Sequence, residues 1–367
     1  MAKKIIWDRT LIIAVMGLIT IGIPMVFSSS ALIAQRLGVS SYYFLVRQLI
    51  WTAFSIVVMI VLLFIKYERL NTKFVSYGSI ALSLIMLIYV LLGPGPIKRW
   101  IRMGSVSFQP SEFAKIAVVL YLAYCLKNVQ LPLKWKEAFI IVLPVAILIG
   151  LIVMEPDLGT SFLIAFVLIT LLFIIGLEKK YIVILGLIGF FLVGFMISSA
   201  EYRRNRVIAY ANQILDRGTK NDSLKTAFQL EQAKIAVGSG GIQGVGFGNS
   251  LQKLFYIPQP HNDFIFSIIA EELGLIGTIS IWLLYFFIFI KGVLIAKNFP
   301  NRYGSYLAIG IVLMLLYQSL INISVVLGLL PTKGIPLPFI SCGGSSMLMS
   351  LASVGILLNL SQHAKTA

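Results

Sequence analysis

Carboxylates are scarce in this chain: 14 Asp and Glu stand against 30 Lys and Arg among 367 residues. Charged residues make up 12% of the sequence and hydrophobic ones 59%. A soluble domain is about a quarter charged, so this poverty of charge excludes an ordinary water-soluble globule. Cysteine is almost missing too. Cys125 and Cys342 lie in or beside apolar stretches, which leaves no disulfide framework. Histidine occurs twice, and no spaced Cys/His cluster offers a zinc site. Nucleophile elbow, P-loop, HExxH and haem-attachment signatures are all absent. So are heptads, tandem repeats and low-complexity tracts.

What the chain has in abundance is apolar length. Ten windows can cross a bilayer: roughly 10–29, 43–65, 74–92, 111–126, 138–154, 160–177, 181–199, 264–290, 304–328 and 340–361. Lipid offers no partner to an open backbone polar group, so the expected fold is an all-α polytopic membrane bundle of about ten transmembrane helices. The whole chain, 1–367, reads as one transmembrane domain. The first window has the basic start and apolar core of a signal peptide. Its length, and nine similar windows after it, argue for a first helix that stays.

An even number of spans places both termini on one side. With the termini inside, inner segments hold fifteen Lys and Arg and the short outer loops hold five. That asymmetry predicts cytoplasmic termini. It also accounts for most of the +16 net charge without nucleic acid, because the basic residues are scattered between spans. Parity then puts one large loop, 200–263, outside, just before the eighth helix. The segments 93–110, 154–160 and 330–346 share that face, so most of the unusual chemistry collects on one side.

Ionisable groups in or beside membrane spans are costly and mark cavities or partners. Glu112 and Lys115, in QPSEFAKIAVV, share a helix face and can pair. They read as a structural ion pair or as the polar wall of a cavity. Glu155 and Asp157, in EPDLGT, read as a tight turn with Asp157 capping the next helix, or as ligand-orienting carboxylates. Arg203, Arg204 and Arg206 precede the glycine-rich GSGGIQGVGFGNS, with Lys234 and Lys253 around it. No βαβ context supports a dinucleotide loop there. Arginines with backbone N–H groups beside a membrane suit a lipid-linked diphosphate, or anionic head groups. Finally His261 and Asp263 stand at the lip of the apolar run in PQPHNDFIFSIIAEELG. Asp263 reads as an N-cap, or as a general base able to take a proton from a hydroxyl nucleophile. Glu271 and Glu272 further down the run are expected to face the bundle interior.

Four stretches, FQPSEFAK, EPDLGT, GSGGIQGVGFGNSLQKLFYIPQPHNDFIFSIIAEELGLIG and LPTKGIPLPFISCGGSSM, carry a resemblance that covers nearly the whole chain. In this order they resemble the SEDS family (shape, elongation, division and sporulation), which includes RodA, FtsW and SpoVE. The resemblance implies a peptidoglycan glycosyltransferase in the bacterial cytoplasmic membrane that polymerises lipid II on the outer face. It implies Asp263 as the essential loop aspartate, Glu112 and Lys115 as the helical pair, and Asp157 as the EPDLGT aspartate. Arg206, Lys253 and His261 join them as expected substrate contacts. The charge of a leaving diphosphate could be met by Arg206, Lys115 and Lys253, or by Mg²⁺ or Mn²⁺ held partly by the diphosphate, and no organic cofactor is expected. Implied partners are undecaprenyl-diphosphate-linked glycan, a class B penicillin-binding protein and other divisome or elongasome membrane proteins. PTKG at 331–334 is closer to the division type, FtsW, and IPLPF at 335–339 to the elongation type, RodA, and the expected role is septum synthesis of the FtsW type, with RodA-type elongation as the alternative. Cys342, Gln259 and Asn262 depart from the usual residues, which touches the subtype more than the activity. A flippase without chemistry, and a scaffold that only activates its partner, are the competing readings.

Overall fold

The computed structural model describes residues 8–93, 98–104, 106–130, 133–198, 204–205, 207–208, 210–211, 224–254, 260–331 and 334–364. Each of the ten apolar windows carries a helix. These are α1 (Arg9–Arg36), α2 (Tyr43–Phe64), α4 (Lys73–Leu92), α5 (Pro110–Leu126), α6 (Trp135–Met154), α7 (Leu158–Ile175), α8 (Lys179–Ser198), α10 (Ile265–Asn298), α11 (Arg302–Val326) and α12 (Gly344–Ser361). Eight of them are long and apolar enough to cross a membrane. The four-residue helix α3 (Tyr67–Leu70) joins α2 to α4.

Three elements were not expected. A short hairpin, β1 (Ile101–Met103) and β2 (Val106–Phe108), pairs Ile101 with Phe108 just before α5. Within the expected large loop, α9 (Leu224–Ser239) is helical. The third is a break inside α10. At 34 residues this helix would run about 50 Å, well beyond the hydrocarbon core. Gly274 interrupts it with φ 64° and ψ −161°, a conformation closed to residues with a side chain.

Local chemistry sets the helix ends. Asp8 accepts from the amides of Thr10 and Leu11 and so caps α1, worth about 1 kcal/mol. Its other oxygen lies 3.4 Å from Lys291 Nζ and ties α1 to α10. Asn301 caps α11 through Gly304 N at 3.0 Å. Gly176 closes α7 in the left-handed conformation.

The core sits along α5, α11 and α12, whose side chains are buried almost all round. By contrast, α2, α4 and α6 bury one stripe and turn residues such as Phe54, Ile85 and Ile140 outward. That outward apolar surface is what a bilayer covers. A small residue brings α12 close to α2: a Cβ on Gly355 would come within 2.6 Å of the Met59 carbonyl oxygen.

Candidate functional site

Asp157 is the N-cap of α7, accepting from Thr160 N at 3.2 Å. Its second oxygen accepts from the Thr160 hydroxyl at 2.8 Å, Gln109 Nε2 at 3.0 Å and the Ser111 hydroxyl at 3.1 Å. One carboxylate thus fastens the EPDLGT turn to the start of α5. The expected cap is present, and its remaining capacity goes to the neighbouring motif.

Glu112 and Lys115 form the expected pair, 2.8 Å apart and both buried. Lys115 also donates to Gln318 Oε1 at 2.7 Å. Gln318 Nε2 in turn donates to Pro336 O at 2.9 Å. The pair therefore props the 334–346 segment through a residue of α11.

The turn holding His261 and Asp263 docks on that same segment. Asn322 Nδ2 donates to both Asp263 O, at 2.9 Å, and Ile335 O, at 2.7 Å. The Ser341 hydroxyl donates to Asn262 O at 2.7 Å, and Cys342 N to His261 O at 2.9 Å. Asp263 does not cap the helix that follows it: Phe264 occupies the N-cap position, with no side-chain cap bond. Instead its carboxylate lies against Gly334, where a Cβ would come within 2.6 Å of Oδ2. Ile335, next in the chain, fills the space where Gly159 of EPDLGT lacks a side chain. Motifs far apart in sequence thereby meet in one place.

His261 is buried against the Phe44 ring, centroids 4.5 Å apart. Burial depresses its pKa to about 4, so the imidazole is neutral at physiological pH. It can orient the turn, but it is not the cation that a diphosphate would need.

Lys253, an expected substrate contact, is held in a buried polar network. It lies 2.8 Å from Glu272 Oε1, both buried, and donates to Ser28 Oγ at 2.9 Å and Gly248 O at 2.6 Å. Glu271 accepts from Leu251 N at 2.8 Å and the Ser250 hydroxyl at 2.5 Å. The break at Gly274 releases backbone groups of α10, and the glycine-rich loop satisfies them. Val245 N donates to Glu271 O, Gly246 N to Glu272 O, Leu275 N to Gly241 O and Ile276 N to Ile242 O. The glycines let two backbones touch, and they do not form a phosphate cradle. Arg206 lies outside the described residues.

Sequence reasoning missed Gln318, Asn322 and Arg99. The first two are four apart, hence on one face of an apolar helix, which was a readable signal. Arg99 Nε donates to Glu155 O at 2.7 Å, and its Nη2 to Pro156 O, clamping the EPDLGT turn. The Glu155 side chain has no solvent exposure, and neither oxygen has a hydrogen-bond partner among the described residues. Burial first, then repulsion from Asp157, raises its pKa from about 4.5 to about 8, against the pull of Arg99. Its folded pKa lies above the unfolded one, so its contribution is fully present below about pH 4.5 and is lost as pH rises through 8. Glu155→Gln should therefore raise the melting temperature at about pH 9 and leave it unchanged near pH 5. Melting curves at the two pH values check this, and an equal shift at both would sink it.

Among the described residues no three His, Cys, Asp or Glu side chains converge on a metal position. Asp157 is saturated by its own donors. The described residues do not form a cage for a divalent ion.

These features define a polytopic membrane protein with a polar site at one end of its helices, built by four sequence motifs. The family described as "Cell cycle protein" (FtsW, RodA, SpoVE) matches residues 9–366, and the chain belongs to it. It is 39% identical to stage V sporulation protein E of Bacillus subtilis, covering 99% of each chain. It is 37% identical to the probable peptidoglycan glycosyltransferase FtsW of Geobacter sulfurreducens, over 98% of this chain and 96% of that one. Among solved structures it resembles a chain of a peptidoglycan synthase complex, with TM-score 0.76, 24% identity and 98% and 99% of the two chains covered. Thermus thermophilus RodA is similar at TM-score 0.71 and 24% identity, over 99% of both chains. The chain is a multi-pass integral protein of the bacterial cytoplasmic membrane.

Proposed function

We propose that the chain is a peptidoglycan glycosyltransferase of division type, with Asp263 as its catalytic base. Lipid II is the acceptor, and undecaprenyl-diphosphate-linked glycan is the donor. One observation carries the assignment of the base. Glu112, Glu155, Asp157, Glu271 and Glu272 are all buried, whereas Asp263 is partly exposed. It is the carboxylate of this set that a hydroxyl can reach.

In this reading Asp263 takes the proton of the acceptor 4-hydroxyl as that oxygen attacks the donor's anomeric carbon. The bond to the diphosphate breaks on the opposite face, which inverts an α-linked donor to a β-1,4 product. Asn322 fixes the backbone of the base, and Gly334 leaves room for its carboxylate. Lys115 and Lys253 support the walls through Glu112 and Glu272. A divalent cation would arrive with the diphosphate rather than reside in the protein. A class B penicillin-binding protein is the expected partner.

The test is polymerisation of purified lipid II, with the partner, Mg²⁺ and Mn²⁺ present. Glycan polymer supports the enzyme. Movement of lipid II across sealed vesicles without polymer would leave a flippase. Stimulation of the partner with neither would leave a scaffold. Gly334→Ala probes the same base from outside: the new methyl displaces the carboxylate rather than the backbone. We expect about 100-fold less polymer, since a shift of about 1 Å suffices for that, with the melting temperature unchanged. Full activity in this variant would remove Asp263 from the reacting geometry.

A further inference from the structure

The helices carry a second polar cluster at their other ends. From Asp263, α10 runs away to Asn298, and α5 runs from the Asp157 contacts to Leu126. There, Asn71, Lys127, Asn128, Asn301, Arg302 and Tyr303 line a cavity of about 360 Å³. It belongs to none of the motifs of the site above. By the Lys and Arg count this is the cytoplasmic end.

The groups that line it are short of acceptors. Lys127 Nζ donates to Asn71 Oδ1 at 2.5 Å and sits 3.8 Å from the Tyr124 ring centroid. With its oxygen so engaged, the Asn71 amide keeps its nitrogen as a donor among the groups that line the cavity. Arg302 Nη1 donates to Val129 O at 3.2 Å, which fixes the guanidinium and leaves its other N–H groups unspent. Neither Lys127 nor Arg302 makes an ion pair among the described residues. Tyr303 is 1% exposed, and its hydroxyl has no partner among the described residues. A buried hydroxyl left unpaired is unfavourable, so this one calls for an acceptor. The N-terminus of α11, at Arg302, adds the positive end of a helix dipole.

Two cations, an amide donor and an orphaned hydroxyl around one cavity match a tetrahedral oxyanion, which offers only acceptors. The cavity opens where membrane helices end, at head-group level. We propose that it binds the phosphate of an anionic phospholipid, anchoring the junctions α3–α4, α5–α6 and α10–α11 to the leaflet opposite the Asp263 site. Basic pockets between membrane helices take such head groups.

The test uses delipidated full-length protein in detergent. Phosphatidylglycerol and inorganic phosphate are added separately, and melting temperature and lipid retention in native mass spectrometry are read. Phosphatidylglycerol should stabilise the wild type and stay bound, and Lys127→Gln/Arg302→Gln should abolish both effects. Tyr303→Phe removes a single oxygen and keeps the ring packing, so it covers the case in which the double variant does not fold. It should weaken phosphatidylglycerol binding about three- to tenfold. Equal retention in wild type and Tyr303→Phe, or no stabilisation by either additive, overturns the site. Full stabilisation by inorganic phosphate alone keeps a phosphate site and overturns the lipid as its source.

Discussion

Asp263→Asn is expected to fold, to bind its partner and to make at least about 100-fold less glycan than the wild type. General-base catalysis contributes about 10²–10⁴-fold. The substitution keeps size and shape, so the carboxamide still fits against Gly334. The turn is held by main-chain carbonyls: Asn322 donates to Asp263 O, Ser341 to Asn262 O and Cys342 N to His261 O. None of these bonds uses the Asp263 side chain. Loss of activity with an unchanged melting curve then isolates the proton acceptor. The matched comparison is Asp157→Asn, where the carboxylate holds four donors at the EPDLGT turn. That variant should lose stability as well as activity. Polymer from Asp263→Asn at the wild-type rate would rule out the base and turn attention to another carboxylate.

The helices were legible because apolar length is a one-dimensional signal: each of the ten windows carries one, and eight of these are long and apolar enough to cross a membrane. The Glu112–Lys115 pair and the Asp157 cap were legible for a related reason: both are contacts within one helical turn or less of each other. Glu271 and Glu272 face the interior, as their cost in an apolar run demands. What the sequence hid depends on long-range meetings. Lys253 looked available to a substrate because its partner Glu272 lies nineteen residues away in sequence. The glycines of 238–248 read as a flexible loop, with only a weak likeness to an anion cradle, since their service to a broken helix appears only once Gly274 bends. From its position alone Asp263 looked more like a cap than a base, and the family resemblance implied the base. The position of Phe264 at the N-cap settles the first reading against it, and partial exposure favours the second. Gln318 and Asn322 were overlooked because uncharged amides stand out less than carboxylates, yet they connect three of the four motifs.

Glu272→Gln is expected to destabilise the protein by about 3–5 kcal/mol, the cost of leaving one partner of a buried ion pair behind. Lys253 is buried beside a carboxylate of zero side-chain exposure, so water cannot replace the lost charge. Ser28 Oγ, which donates to Glu272 Oε1 at 2.6 Å, ties the pair to α1. The damage should therefore spread to the glycine-rich loop. Amide exchange should quicken at Val245, Gly246, Leu275 and Ile276, whose N–H groups bridge the loop and the break in α10. The double variant Glu272→Gln/Lys253→Met removes the stranded charge together with its partner and should recover most of the lost stability, because an apolar replacement of a buried pair is often neutral. It also separates two roles. If Lys253 only holds the loop, activity returns with stability. If Lys253 also meets the substrate diphosphate, the stable double variant stays inactive. Glu272→Gln melting at the wild-type temperature would show that the pair does not hold the loop to α10.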